Sequence, residues 1–273
     1  MGSLTKRVLV AAIAIPILLF LVFWERILPF KILAAVGLGL GLLEYLQLAK
    51  ARNLKPLRTE GLVALGFALL PWVLRPLVPW QGQGALVLAL LILTFAFMWS
   101  DRPLKDMIVS VSVTFFGVVY FAVFGSYFFR LREMPEGAWY LLWLFVGTWA
   151  YDTGGFFIGT RWGKHRLAPS VSPNKSWEGC AGGVGLTLIA YLLLWKFADF
   201  YSRCFSLVDV LCLTLLLSFF GQAGDLVESV IKRSLKAKDS GSLLPGHGGI
   251  FDRIDSLLFN APILFYYLML FKK

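Results

Sequence analysis

The hydrophobic positions of this chain fall in long runs, with little alternation. Nine stretches are apolar almost throughout, near Val8–Trp24, Leu28–Leu48, Gly61–Val78, Ala85–Trp99, Met107–Phe129, Ala138–Ile158, Gly179–Phe197, Leu207–Val227 and Ser256–Phe271. A helix needs about 17–25 such residues to cross a bilayer. Hydrocarbon offers no partner for the amides of an open strand, and none of these runs shows the period-two alternation of a barrel strand. Each run is therefore predicted to be a helix. The first follows Lys6 and Arg7 as a signal peptide would, but it ends in Trp24-Glu25-Arg26 without a small-x-small cleavage site and is read as a retained span. The predicted fold class is all-α, a polytopic integral membrane protein of about nine transmembrane helices.

Composition agrees with this pattern. Of 273 residues, 58% are hydrophobic and only 15% are charged, and the mean hydropathy is +0.74. So few charges cannot cover a soluble globule. The three cysteines form no CxxC or Cys/His cluster, so neither a disulfide framework nor a zinc site is supported. The net charge of +10 fits positive-inside orientation, attraction to anionic lipid, or a polyanionic substrate. Nucleic acid is not expected as a partner, because no basic run is interleaved with aromatics on a soluble domain. The ten Trp and nine Tyr are read as interfacial anchors. With nine spans, one side collects 17 of the 26 basic residues, which predicts a cytoplasmic N-terminus and an external C-terminus in a plasma or inner membrane.

Residues 1–140 read as transmembrane scaffold. Their exception is Glu44, a carboxylate near the end of the second run, open to a functional reading or to an interfacial ion pair with Lys50. Residues 141–273 read as the catalytic region, with two loops, 159–178 and 228–253, on the predicted cytoplasmic face. At the end of the eighth run, Asp225, Glu228, Ser229 and Lys232 stand at i, i+3, i+4 and i+7, a single helical face. The following loop places His247 among four glycines and a proline, a backbone suited to close approach by anionic oxygens. His247 is open to phosphate contact, loop ordering or proton transfer. Asp252 and Asp255 then share the first turn of the ninth helix. With Asp225 they offer three carboxylates to a hard divalent cation, and Lys232, Arg233, Lys238 and Arg253 suit the phosphates that accompany Mg2+. Asp225 and Asp252, on different helices, are expected to converge on one ion.

The other loop runs from Asp152, in or at the end of an apolar span, through Gly159-Thr-Arg161-Trp-Gly163-Lys164-His165-Arg166 to Ser172-Pro173-Asn174-Lys175-Ser176-Trp-Glu178. Its glycine spacing is wrong for a P-loop, His165 stands where Ser or Thr is needed, and no strand precedes it. Asp152 is a functional candidate. Ser176 and Glu178 suit capping of the next helix, and His165 is read as a surface residue.

The stretch Ser229-x-Ile231-Lys232-Arg233-x4-Lys238-Asp239-x-Gly241-x2-Leu244-Pro245-x-His247-Gly248-Gly249-Ile250-x-Asp252-Arg253-Ile254-Asp255 resembles the signature of phosphatidate cytidylyltransferases, also called CDP-diacylglycerol synthases. Asp152-Thr-Gly-Gly155, Gly163-Lys164 and Ser172-Pro173-Asn174-Lys175-Ser176-x-Glu178-Gly179 are similar to the family's second set of landmarks. The resemblance anchors roughly the last 125 residues. It implies a membrane enzyme that joins CTP and phosphatidic acid into CDP-diacylglycerol and pyrophosphate with Mg2+. On this reading Asp225, Asp252 and Asp255 hold metal, and Lys175, Lys232, Arg233, Arg253 and His247 contact phosphates. Asp152 and Glu228 orient the lysines or a second cation, with Ser229, Lys238 and Asp239 in support. Asp225, Asp252, Lys232 and Asp152 form the catalytic set. Because the lipid phosphate attacks the nucleotide α-phosphorus, no protein nucleophile is required.

Rival classes fit less well. An ion- or proton-coupled transporter would use Glu44, Asp152 and Asp225 as a relay, but it has no use for a basic, glycine-rich loop, and inverted repeats are not evident. A passive binder of anionic lipid needs no clustered aspartates. A CDP-alcohol phosphotransferase needs a different two-Asp, two-Gly helix pattern. Membrane lipids are natural neighbours, and a homo-oligomer is compatible with the sequence.

Overall fold

The structure is a computed structural model that describes residues 3–74, 82–241 and 248–272, with side chains described from residue 12 onward. The chain divides into two compact units, one of residues 1–133 with 234–254 and one of 134–233 with 255–273.

The first unit is built from α1 (Ser3–Phe23), α2 (Ile27–Ala51), α3 (Arg58–Val73), α4 (Gln83–Met98) and a long helical stretch, Leu104–Glu133. That stretch opens with a 3-10 turn and continues as α5 (Met107–Val119), a π turn (Tyr120–Phe124) and α6 (Gly125–Glu133). Leu38, Leu42 and Leu46 of α2 recur every fourth residue and are buried, with Leu65 and Leu69 of α3 and Phe121 of the π turn also in the core. A polar clasp ties three helices. Lys31 of α2 donates to the Trp72 carbonyl of α3 at 2.7 Å and pairs with Glu133 of α6 at 2.5 Å. The extra residue of the π turn re-aims its aromatics. Tyr120 and Phe121 pack edge-on against Phe251, with centroids at 5.8 and 5.0 Å.

The second unit contains α7 (Gly137–Trp162), β1 (Arg166–Ala168), β2 (Ser172–Ser176), α8 (Trp177–Phe197), α9 (Asp199–Cys204), α10 (Leu207–Ser234) and most of α11 (Phe251–Phe271). Small residues let α7 and α8 approach closely, as in membrane helix pairs. A Cβ at Gly183 would stand 2.7 Å from the Tyr151 ring, and one at Gly154 would strike the Gly182 carbonyl. Trp143 stacks on Tyr191 at 3.9 Å, and the Tyr191 hydroxyl donates to the Trp143 carbonyl at 3.2 Å. Asp209, in the first turn of α10, accepts from the Ser206 amide and hydroxyl, each at 2.6 Å, and from the Tyr267 hydroxyl at 2.7 Å. It also pairs with Lys272.

Among the described residues every apolar run lies on helix. Among the described residues, five helices are long and apolar enough to cross a membrane: Ile27–Ala51, Leu104–Glu133, Trp177–Phe197, Leu207–Ser234 and Phe251–Phe271. The all-α expectation takes one qualification. Within 159–178, α7 continues to Trp162, and β1 then pairs antiparallel with β2, Arg166 opposite Ser176 and Ala168 opposite Ser172. Likewise α10 runs on to Ser234, so the first part of the expected 228–253 loop continues the helical face that the sequence indicates for Asp225 to Lys232.

Candidate functional site

Asp225, Glu228 and Asp255 meet in the second unit, with one carboxylate oxygen of each lying within 4.8 Å of the others. Asp225 and Glu228 are one turn apart on α10. Asp255 belongs to α11, and the reason it comes so near is Gly224. A Cβ there would stand 2.8 Å from the Asp255 carbonyl and 3.0 Å from Phe259 Cβ, so only glycine lets the two backbones meet. One turn earlier, Gly221 plays the same part against Asn260, at 2.7 Å from Nδ2.

Glu228 is 1% exposed and Asp255 9%. Two unit charges at this separation repel by about 3 kcal/mol at an effective dielectric near 20, so three carboxylates require compensation. Two lysines supply part of it. Lys175, carried by β2, pairs with Asp225, and Lys232 pairs with Glu228 one turn along α10 at 2.6 Å. The Ser229 hydroxyl lies 3.4 Å from Asp225 Oδ1. Asp152 of α7 adds further negative field at Asp255, which Lys175 opposes. Two ammonium groups against three clustered carboxylates leave room for a cation, and hard oxygen donors suit Mg2+. The residues therefore fit the ion expected from the sequence.

The hairpin that carries Lys175 is itself fixed. The Ser176 hydroxyl accepts from the Gly179 amide at 3.1 Å and caps α8. Glu178 accepts from the Lys164 and His165 amides at 3.1 and 3.2 Å and from His165 Nδ1 at 2.5 Å, so His165 serves the loop. Arg233 reaches the hairpin turn, its Nε donating to the Val171 carbonyl at 3.3 Å.

Other expected residues lie elsewhere. Asp252 is in the first unit, and its carboxylate accepts from the Ser240 amide at 3.1 Å, the Ser240 hydroxyl at 3.0 Å and the Gly249 amide at 2.8 Å. The carboxylate group of the second unit thus contains Glu228, expected only in support. Glu44 accepts from the Ser240 hydroxyl and from the Ile250 and Phe251 amides, which corrects the expected ion pair with Lys50. A carboxylate so engaged is also a poor member of a proton relay. Lys238, Asp239 and Arg253 are exposed, and His247 lies outside the described residues. Sequence reasoning missed the Lys175–Asp225 pair, which only the hairpin creates.

Comparison with known proteins identifies the family. The Cytidylyltransferase family profile matches residues 5–271. A Bacillus subtilis protein named phosphatidate cytidylyltransferase is 35% identical over 99% of this chain and 100% of its own length. A Staphylococcus aureus protein of the same name is 34% identical, over 82% of this chain and 85% of its own. One from Staphylococcus epidermidis is 38% identical, over 67% and 68%. Matched over nearly its whole length, the chain belongs to the cytidylyltransferase family and is a nucleotidyltransferase.

Proposed function

We propose that the protein condenses CTP with phosphatidic acid to give CDP-diacylglycerol and pyrophosphate, at a site facing the cytoplasm in a membrane protein of nine spans with its N-terminus inside. The observation that carries the reading is the cluster of Asp225, Glu228 and Asp255 against Lys175 and Lys232, in a chain whose relatives bear the name phosphatidate cytidylyltransferase. The orientation rests on the excess of basic residues on one side of the apolar runs.

Two polyanionic substrates repel each other, so their meeting depends on charge neutralisation and alignment. Asp225, Glu228 and Asp255 would hold Mg2+, whose chemistry is to offset negative charge on the nucleotide phosphates. Lys175 and Lys232 bring positive charge to the edge of the carboxylate group, and they bind and orient phosphate oxygens there. Arg233 adds a forked donor beside the hairpin turn. A phosphate oxygen of the lipid forms a bond to the α-phosphorus while the α–β bridging bond breaks, and pyrophosphate leaves with that electron pair. Asp152 adds negative field beside Asp255. Asp252 orders the chain before α11.

Purified protein incubated with CTP labelled at the α-phosphorus, Mg2+ and phosphatidic acid should move the label into the lipid phase. The transfer should require phosphatidic acid and release pyrophosphate. Label that stays water-soluble under these conditions would refute the reading.

A further inference from the structure

Glu44 sits on α2, far in sequence from every motif residue, yet it is 6% exposed, and among the described residues it accepts hydrogen bonds from Ser240, Ile250 and Phe251. Its Oε1 accepts from the Ile250 amide at 2.9 Å, and its Oε2 accepts from the Phe251 amide at 2.9 Å and the Ser240 hydroxyl at 2.8 Å. The first amides of a helix lack intrahelical acceptors, and a carboxylate there also meets the positive end of the helix dipole. Glu44 therefore caps α11 from another helix. Ser240 extends the clasp by also reaching Asp252 Oδ2 at 3.0 Å, and Asp252 in turn holds the Gly249 amide.

Glycine backbone approaches this carboxylate closely. A Cβ at Gly241 would stand 2.7 Å from Glu44 Oε1, and one at Gly249 would strike both Ser240 and Glu44. Gly41, one turn before Glu44 on α2, lies against the Phe121 ring, where a Cβ would be 2.7 Å from Cε1. Phe251 is 0% exposed between Tyr120 and Phe121. Arg52, just past α2, donates from Nε to the Leu235 carbonyl at 2.7 Å. The α2 region thus grips the chain both where it leaves α10 and where it enters α11.

We infer that Glu44 is a positioning residue for the reaction. It fixes the first turn of α11 and so sets where Asp255, four residues after Phe251 on the same continuous helix, presents its carboxylate. The inference rests on the cation role given to Asp255 under the proposed function. Sequence pattern does not assign this task to Glu44, because its partners are backbone amides about 200 residues away.

The test uses the full-length protein in detergent, without substrates, and reads the rise in thermal midpoint as Mg2+ is titrated. Glu44→Gln is isosteric but loses the charge and one of the acceptor oxygens. It should need about tenfold more Mg2+ for half of the wild-type rise, the scale seen when partners that orient metal ligands are removed. The milder Ser240→Ala should shift the titration in the same direction by less. Hydrogen exchange at residues 248–256 should quicken in Glu44→Gln and stay unchanged in α7 and α8. A normal wild-type titration with an unaltered one in both variants would overturn the positioning role alone. A wild-type protein whose midpoint ignores Mg2+ would overturn the cation reading, and the positioning role with it.

Discussion

The Lys175 ammonium on β2 is ion-paired with the Asp225 carboxylate on α10. One contact therefore joins the hairpin after α7 to the carboxylate group shared by α10 and α11, and it gives a short polar hairpin a task in an otherwise helical chain. If the pair works as a unit in phosphate binding, Lys175→Ala should lower kcat/KM by about 10²-fold, the scale of losing one preorganised donor to a developing charge. Adding Asp225→Asn should cost much less than the two separate losses combined. Steady-state kinetics of the two single variants and the double variant check this. Strict additivity would mean that the two side chains act independently.

The three clustered carboxylates should be individually indispensable, with losses that do not add. Asp225→Asn, Glu228→Gln and Asp255→Asn are each expected to remove most activity while leaving folding in detergent intact, and a double variant should be little worse than either single one. Asp252→Asn should behave differently, because its carboxylate holds Ser240 and Gly249. Its defect should resemble that of the Ser240→Ala variant. Activity at saturating and limiting Mg2+ separates the two classes.

Arg233→Lys keeps the charge but loses the planar fork. A loss of about 1–3 kcal/mol in transition-state binding is expected if the fork engages phosphate, and it would be read as a fall in kcat/KM. Unchanged kinetics would return Arg233 to a structural role, which includes its contact to the Val171 carbonyl.

The Asp209 network should matter for stability and not for chemistry. Asp209→Asn breaks charge-assisted bonds to Ser206, Tyr267 and Lys272, and about 1–3 kcal/mol of unfolding free energy should be lost. Activity per folded molecule should match the wild type at low temperature.

The helices were legible because apolar runs of this length have few other solutions, and the polar face of α10 was legible from its spacing. Gly224 was visible as a glycine just before Asp225, but its role depends on Asp255 and Phe259 lying opposite. The hairpin was not legible. Its second strand, Ser172–Ser176, has no apolar alternation, and Pro173 argues against a strand in the absence of tertiary context. Glu44 stood out as a carboxylate among apolar residues, yet nearby Lys50 offered a simpler partner than backbone amides distant in sequence. Asp252 and Asp255 share a turn of sequence, but the hydrogen bonds of Asp252 run back toward Ser240 and Gly249, which spacing along the chain does not convey.

Orientation can be read directly. With Cys180, Cys204 and Cys212 replaced, a cysteine at the exposed Lys238 should resist a membrane-impermeant thiol reagent on intact cells and react after permeabilisation. Strong labelling of intact cells would reverse the topology.

The central claim, attack by the lipid phosphate on the nucleotide α-phosphorus, is tested most directly by following an oxygen atom. Phosphatidic acid carrying 18O in its terminal phosphate oxygens is incubated with CTP, Mg2+ and the purified protein, and the pyrophosphate bridge of the lipid product is read by mass spectrometry. The account predicts 18O in that bridge, none in the released pyrophosphate, and loss of the product in Asp225→Asn. A product bridge without 18O, or CTP consumed to CMP with no labelled lipid, would contradict it.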